Sequence, residues 1–200
     1  MNFLSIDCST DIGSLFVKTQ NKTFSQVLQS DKFNNDLLMK QILNFFNENN
    51  IKFTDISDIF VNQGPGNFSG LRGSLATAKG VSLAKNLNLI GYNTFIWSCA
   101  KFFKKDSIYS LIKFREKYYI KGFGKNLKSS SKIKEVNVDE LVEKYNKELL
   151  TIPRSLTKYF DDKVLKINNL NIVDLDHNDL EFLQLQGLLN KELIKPLYLS

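Results

Sequence analysis

The sequence predicts an α/β chain of two lobes, each a mixed β-sheet flanked by helices. Three observations carry this reading. The chain opens on three short apolar stretches separated by polar turns. A strand, a glycine-rich turn and a long helix follow around residues 58–86, with another strand after the helix. The second half then begins like the first, on two strand-like runs about a short turn. Opening hairpins exclude a doubly wound parallel sheet, while the later β-α-β order calls for parallel, right-handed crossovers. The expected lobes are 1–104 and a smaller, shortened 105–200 whose last helix packs back.

Residues 3–6 read as the first strand, 7–13 as a polar turn and 14–17 as the second strand. A turn at Gln20-Asn21 leads to a third strand over 22–27. Residues 35–49 form the first long helix. Leu37, Leu38, Met39, Ile42, Leu43, Phe45 and Phe46 cover an apolar arc wider than packing on one sheet face requires. The arc fits a helix buried between elements of its own lobe, or one that also meets another protein.

Residues 58–61 read as a buried strand, followed by Gln63-Gly64-Pro65-Gly66-Asn67-Phe68-Ser69-Gly70-Leu71-Arg72 and a helix ending near Asn86. Leu71, Leu75, Ala78 and Ser82 recur at helical spacing. Ser69 is the expected N-cap. Gly64, Gly66 and Gly70 allow positive φ or close backbone approach, and a helix start after them suits an anion. The spacing is not the dinucleotide fingerprint, and no Gly-Lys-Ser/Thr makes it a Walker A loop. Along the helix Gly73, Ser74, Ala76, Thr77, Ala78, Gly80, Ser82 and Ala84 are small. Interior glycine costs about 1 kcal/mol relative to alanine, so close packing on the helix is expected in return.

Residues 87–92 read as the next strand, and Thr94 as the cap of a helix through 96–103. Residues 107–114 and 117–123 make a hairpin about Arg115-Glu116. Residues 125–134 are basic and serine-rich, which fits a solvated loop or a contact with RNA phosphates. A helix over 138–145, a strand over 149–152 and shorter elements to Val173 follow. Asp174, Asp176 and Asn178 share part of a calcium-loop spacing. The loop lacks the required glycine, and Leu185 stands where the glutamate belongs, so it reads as an acidic turn. Asn178 with Glu181 is the expected capping box of a last helix over 180–193.

Composition is that of an ordinary globular protein, with 42% hydrophobic and 24% charged residues. The first residues lack a signal-peptide pattern, and no apolar run reaches membrane-spanning length, so a cytoplasmic chain without membrane contact is expected. Cys8 and Cys99 are expected reduced and partly buried. The net charge is +6, carried mostly by lysine in a chain also rich in Asn, Phe and Ile. That is a compositional bias and weak evidence for a nucleic-acid surface.

The run Gly64-Pro65-Gly66-Asn67-Phe68-Ser69-Gly70-Leu71-Arg72, then Ala76-Thr77-Ala78-Lys79-Gly80, closely resembles the GPGSFTGLR…ATAKG segment of the bacterial TsaB (YeaZ-like) proteins. Asn67 and Ser69 are mild variants, and Gly73 replaces a usual β-branched residue. The closing Pro196-Leu197-Tyr198-Leu199 resembles the family's Pro-x-Tyr-Leu ending. At the second-half hairpin the family's Asp-Ala-Arg is kept only at Arg115, with Lys113 at the Asp position.

The resemblance implies the two-lobed actin-like (ASKHA, ribonuclease-H-like) fold. It implies a non-catalytic subunit that pairs with TsaD as a heterodimer, with TsaE as third member and TsaC in the pathway. The product is N6-threonylcarbamoyladenosine at position 37 of tRNA, which is reached through the complex. A homodimer is the fallback when the chain is alone. No cofactor or metal is expected. The expected partner surface is Leu38, Met39, Ile42, Leu43, Phe45 and Phe46 of the first helix with Ser74, Thr77 and Gly80 of the second. One stripe of the first helix, either Met39, Leu43 and Phe46 or Leu38, Ile42 and Phe45, faces the sheet and the other the partner. Asp7, Ser9 and Thr10 sit where the superfamily's first phosphate loop holds a metal-bound phosphate, and they also read as an ordinary Asp turn.

Two alternatives stand beside this. A stand-alone ASKHA-type ATPase or kinase would use Asp7 and the 64–70 loop, but needs a second phosphate loop and another acid. A direct RNA-binding module would use Arg115, Tyr118, Tyr119 and Lys121. TsaD's metal rests on a His-x-x-x-His pair, whereas His177 is the single histidine here and residues 32–38 read Lys-Phe-Asn-Asn-Asp-Leu-Leu. Protease chemistry finds no nucleophile signature beside His177.

Overall fold

The fold is that of a computed structural model, which describes residues 1–20, 22–28, 35–191 and 194–199. The Asn21 turn position, Lys32 to Asn34, and Glu192 and Leu193 of the expected last helix lie outside the described residues.

Strand β1 (Phe3–Asp7) is buried throughout. It pairs antiparallel with β2 (Gly13–Lys18), which pairs antiparallel with β3 (Thr23–Leu28). On its other side β1 runs parallel to β4 (Asp58–Asn62), and β4 to β5 (Asn88–Tyr92). The order is β3-β2-β1-β4-β5. A strand at the centre of a mixed sheet must be apolar on both faces, which is why β1 and β4 lack polar alternation.

Helix α1 (Asn35–Glu48) and helix α2 (Phe68–Lys85) pack on this sheet. Leu38, Ile42 and Phe45 join Leu4, Ile6, Ile59, Val61, Leu75 and Ala78 in one core. Phe46 is buried too, 4.6 Å from the ring of Phe53 in the 3-10 turn Phe53–Asp55. That second contact accounts for the wide apolar arc. On the other face of β1, Phe3 meets Phe60 edge-on at 4.8 Å and Phe16 at 5.7 Å.

After α3 (Thr94–Cys99) come β6 (Ser107–Phe114) and β7 (Lys117–Gly124), then β8 (Lys134–Val136), α4 (Val138–Lys144), β9 (Leu150–Pro153), α5 (Asp162–Leu165), β10 (Leu170–Val173) and α6 (Asn178–Leu185). Here β6 pairs antiparallel with β7 and β7 with β8, while β9 runs parallel to both β6 and β10. The order β10-β9-β6-β7-β8 is therefore the first sheet's order repeated, strand for strand. Two mixed five-stranded sheets with this topology are the actin-like fold that the sequence predicts.

The chain divides into two compact units, Met1–Thr94 with Leu189–Ser200, and Phe95–Leu188. This division falls ten residues before the expected 104/105 boundary and returns the chain's end to the first unit.

Local details depart from expectation at three helix ends. Asn67, not Ser69, caps α2, its Oδ1 accepting from Ser69 N at 3.1 Å. Thr94 Oγ1 is instead bonded to Asn62 Nδ2. The last helix stops at Leu185, and no Asn178 capping box forms: Asp176 Oδ1 accepts from Asn178 N at 2.9 Å. Each reflects a carboxamide or carboxylate that reaches one residue further than the expected cap.

Candidate functional site

The glycine-rich turn lies against the turn after β1, and the contact explains its glycines. A Cβ on Gly66 would run into the carbonyl of Ser9, and one on Gly70 into the carbonyl of Cys8. Asn67 N donates to Ser9 O at 2.8 Å. Gly64 takes φ +108, a conformation that favours glycine. The tail of the same unit closes the turn from outside. Leu197 N donates to Gln63 O at 2.6 Å, and Gln63 Nε2 donates to Lys195 O at 2.8 Å. Tyr198 stacks on Phe68 at 5.4 Å and accepts from Arg72 Nε at 3.1 Å, while the Arg72 guanidinium lies 4.1 Å from the centre of the Phe68 ring.

Asp7 faces inward. Its Oδ1 accepts from Ser9 N at 2.9 Å and from Asn62 Nδ2 at 3.1 Å. Asn62 Oδ1 accepts from Gly64 N at 2.9 Å, so Asn62 ties β1, β4 and the turn together. Burial raises the Asp7 carboxyl above its ordinary range, against the bonds from Ser9 and Asn62 that lower it. Thr10 Oγ1 donates to Ile12 O at 2.8 Å. The residues of the expected phosphate loop are thus brought together, but as a packed junction whose polar groups serve one another. Burial likewise pushes up the Cys8 thiol, and lifts Cys99 to about 12, so both are inert thiols in a core.

The expected partner surface separates into two sets. Leu38, Ile42, Phe45, Phe46 and Ser74 are buried inside the unit. Both stripes of α1 therefore feed the core, the first against the sheet and Phe46 of the second against Phe53. What reaches the surface is Met39, Leu43, Thr77 and Gly80, with Leu83, a residue not foreseen, 84% exposed. Between α1 and α2 runs an apolar groove of about 280 Å³, lined by Met39, Phe53, Thr77, Gly80, Val81, Ala84 and Lys85. A Cβ on Gly80 would meet nothing within 4 Å. Within one helix, then, Gly70 is required by the chain's own packing and Gly80 is not.

In the second unit Arg115 occupies the β6–β7 turn at φ +55. Tyr118 and Tyr119 are buried and Lys121 is half-buried over Phe123, so no exposed basic and aromatic stripe forms here. Tyr118 donates to Asp161, which also pairs with Lys113 at 3.4 Å. Burial, then that bond, lift the Tyr118 hydroxyl to about 12. Lys125, Lys128, Lys132 and Lys134 are exposed. His177 lies 4.9 Å from the Trp97 ring, and burial lowers it to about 4. Asp174 binds Arg154 Nε at 2.7 Å and so serves as an ion-pair partner. Among the described residues no three His, Cys, Asp or Glu side chains stand close enough to share a metal ion. With one histidine in the chain, a His-x-x-x-His pair cannot be built.

Residues 29–159 match the family model of "TsaD: tRNA N6-adenosine threonylcarbamoyltransferase". This chain belongs to that family. Within it the chain is TsaB-like, as the glycine-rich segment predicts. Over 96 residues it is 31% identical to the tRNA threonylcarbamoyladenosine biosynthesis protein TsaB of Buchnera aphidicola subsp. Baizongia pistaciae. That match spans 46% of this chain and 42% of the Buchnera protein. Two solved structures share the fold along their whole length. YeaZ from Pseudomonas aeruginosa has a TM-score of 0.71 at 14% identity, covering 99% of both chains. A Pseudomonas aeruginosa protein described as similar to peptidase YEAZ has a TM-score of 0.74 at 14% identity, covering 100% of this chain and 99% of its own.

Proposed function

We propose that this chain is a non-catalytic subunit that binds TsaD in the cytoplasmic machinery making N6-threonylcarbamoyladenosine at position 37 of tRNA. TsaE is then the third member, TsaC acts in the same pathway, and tRNA is engaged through the complex. The pathway follows from the family and from the name of the Buchnera relative. The observation that carries the subunit role is Gly80. A helix-interior glycine costs about 1 kcal/mol relative to alanine. Nothing in the described chain approaches it, and it opens onto an apolar groove beside exposed Leu43 and Leu83. A partner helix seated there gives that glycine a use.

The kinase-like reading is weaker because the turn at Asp7 is closed by Gly66, Asn62 and Asn67. A phosphate would have to displace backbone contacts to enter. The protease reading is weaker because His177 is buried against Trp97.

Co-expression with the cognate TsaD, followed by native mass spectrometry, should yield a heterodimer. Leu43→Glu and Leu83→Glu, both at exposed sites, should remain folded and lose the heterodimer together with tRNA modification in the reconstituted system. Retention of TsaD by both variants would move the contact elsewhere. Turnover of ATP by the chain alone, abolished in a folded Asp7→Ala variant, would favour the kinase.

A further inference from the structure

The charges around the groove are one-sided. Helix α2 carries Arg72, Lys79 and Lys85 and no carboxylate. Lys79 and Lys85 are exposed, and the Lys85 ammonium lies 5.6 Å from the Phe53 ring centre at the lip of the groove. By sequence α1 adds Lys40 against Asp36 and Glu48. The floor is apolar, and an apolar cavity of about 150 Å³ already accommodates benzene. The groove's 280 Å³ leaves room for a large side chain laid against the backbone at Gly80.

We propose that this groove takes an amphipathic helix whose apolar stripe is flanked by carboxylates, and that the same charges turn away a second copy of this chain. The proposal rests on the groove being the partner site described under Proposed function. A two-fold contact through this face would set one cationic α2 beside another. Like charges facing each other oppose association, whereas a carboxylate beside Lys79 and Lys85 favours it and speeds encounter. The two occupants therefore respond to salt with opposite sign. Screening weakens an acidic partner's binding and relieves repulsion between two copies.

The test uses the full chain and its cognate TsaD, by calorimetry and sedimentation velocity from about 50 mM to about 500 mM NaCl. Affinity for TsaD should fall as salt rises, while any self-association should strengthen. Lys79→Glu with Lys85→Glu should cost roughly tenfold or more in TsaD affinity at low salt. The doubly reversed chain should also self-associate more readily than the parent. Gly80→Trp and Ala84→Trp fill the groove; with folding checked by circular dichroism, both should abolish TsaD binding. If these plugs block binding while salt and charge reversal do nothing, the acidic-flank proposal is wrong and the groove remains the site. If the plugs leave binding intact, the groove is not the site and both readings fall. A tight homodimer that ignores salt and is broken by the plugs makes a second copy the occupant and overturns the proposal.

Discussion

The two units run the same five-strand order, yet they cover their sheets differently. In the first, crossovers from β3 to β4 and from β4 to β5 are helices of 14 and 18 residues. In the second, the equivalent connections hold α4 of 7 residues and α5 of 4. The long helices bury a larger core and leave an apolar outer face with a groove between them. The short ones end before a comparable face can form, and their polar groups pair locally. Lys134 and Lys144 both reach Glu140, and Tyr118 and Lys113 both reach Asp161. The sheet topology is thus shared, while the feature suited to a helical partner belongs to the unit that kept long crossovers.

The largest expected effect tests why the first unit's turn is closed. Gly70→Ala places a methyl group in the carbonyl of Cys8, where backbone rather than a movable side chain must yield. A loss of about 4 kcal/mol or more is expected from such forced backbone displacement. In the second unit a Cβ on Gly122 meets the Tyr109 ring and the hydroxyls of Ser130 and Ser131, which are side chains. Gly122→Ala should therefore cost distinctly less. Chemical denaturation of the two variants measures the difference, and equal losses would mean that the β1 turn adapts.

The next effect belongs to the second unit alone. His177 falls from about 6.5 in the unfolded chain to about 4 in the fold because it is buried. A depressed histidine means that the unfolded chain binds the extra proton first. Stability from this group is therefore whole above about pH 6.5 and declines as pH falls toward 4, by up to roughly 3 kcal/mol. His177→Phe should flatten that acid limb if it preserves the packing on Trp97. Hydrogen exchange resolved by unit should show protection around Trp97 lost in acid before that around Phe3 and Phe60. An acid limb unchanged in His177→Phe would assign the loss to carboxylates.

Much of this comparison is legible in sequence, and the limits have physical causes. The opening meander, the strand–turn–helix and the Arg115 hairpin announce themselves because periodicity and turn residues are local signals. Strand β8 is hidden because its 3 residues follow a basic, serine-rich run. The burial of Phe46 depends on Phe53, and the wide arc of α1 cannot reveal which surface takes which side chain. The closure of the glycine-rich turn depends on Gln63 meeting Lys195, separated by 132 residues, for which no local pattern exists. The TsaB-like segment identifies the turn but reads equally well as an open phosphate loop or a packed junction. Only the positions of the Cys8 and Ser9 carbonyls distinguish the two.

The smallest effect has the opposite sign and bears most directly on why the first unit keeps its groove. Gly80→Ala adds a methyl group where nothing lies within 4 Å, in the interior of an 18-residue helix. Helix propensity and the loss of unfolded-state freedom should then stabilise the free chain by about 1 kcal/mol. The same methyl group would stand between α2 and a helix seated in the groove, so TsaD should bind more weakly. Thermal denaturation of the free chain and calorimetric titration with TsaD measure the two quantities on one variant. Stabilisation together with weaker binding is the result expected if Gly80 serves the partner. Stabilisation with unchanged binding would leave the glycine as a tolerated defect, and the contrast between Gly70 and Gly80 would no longer mark an interface.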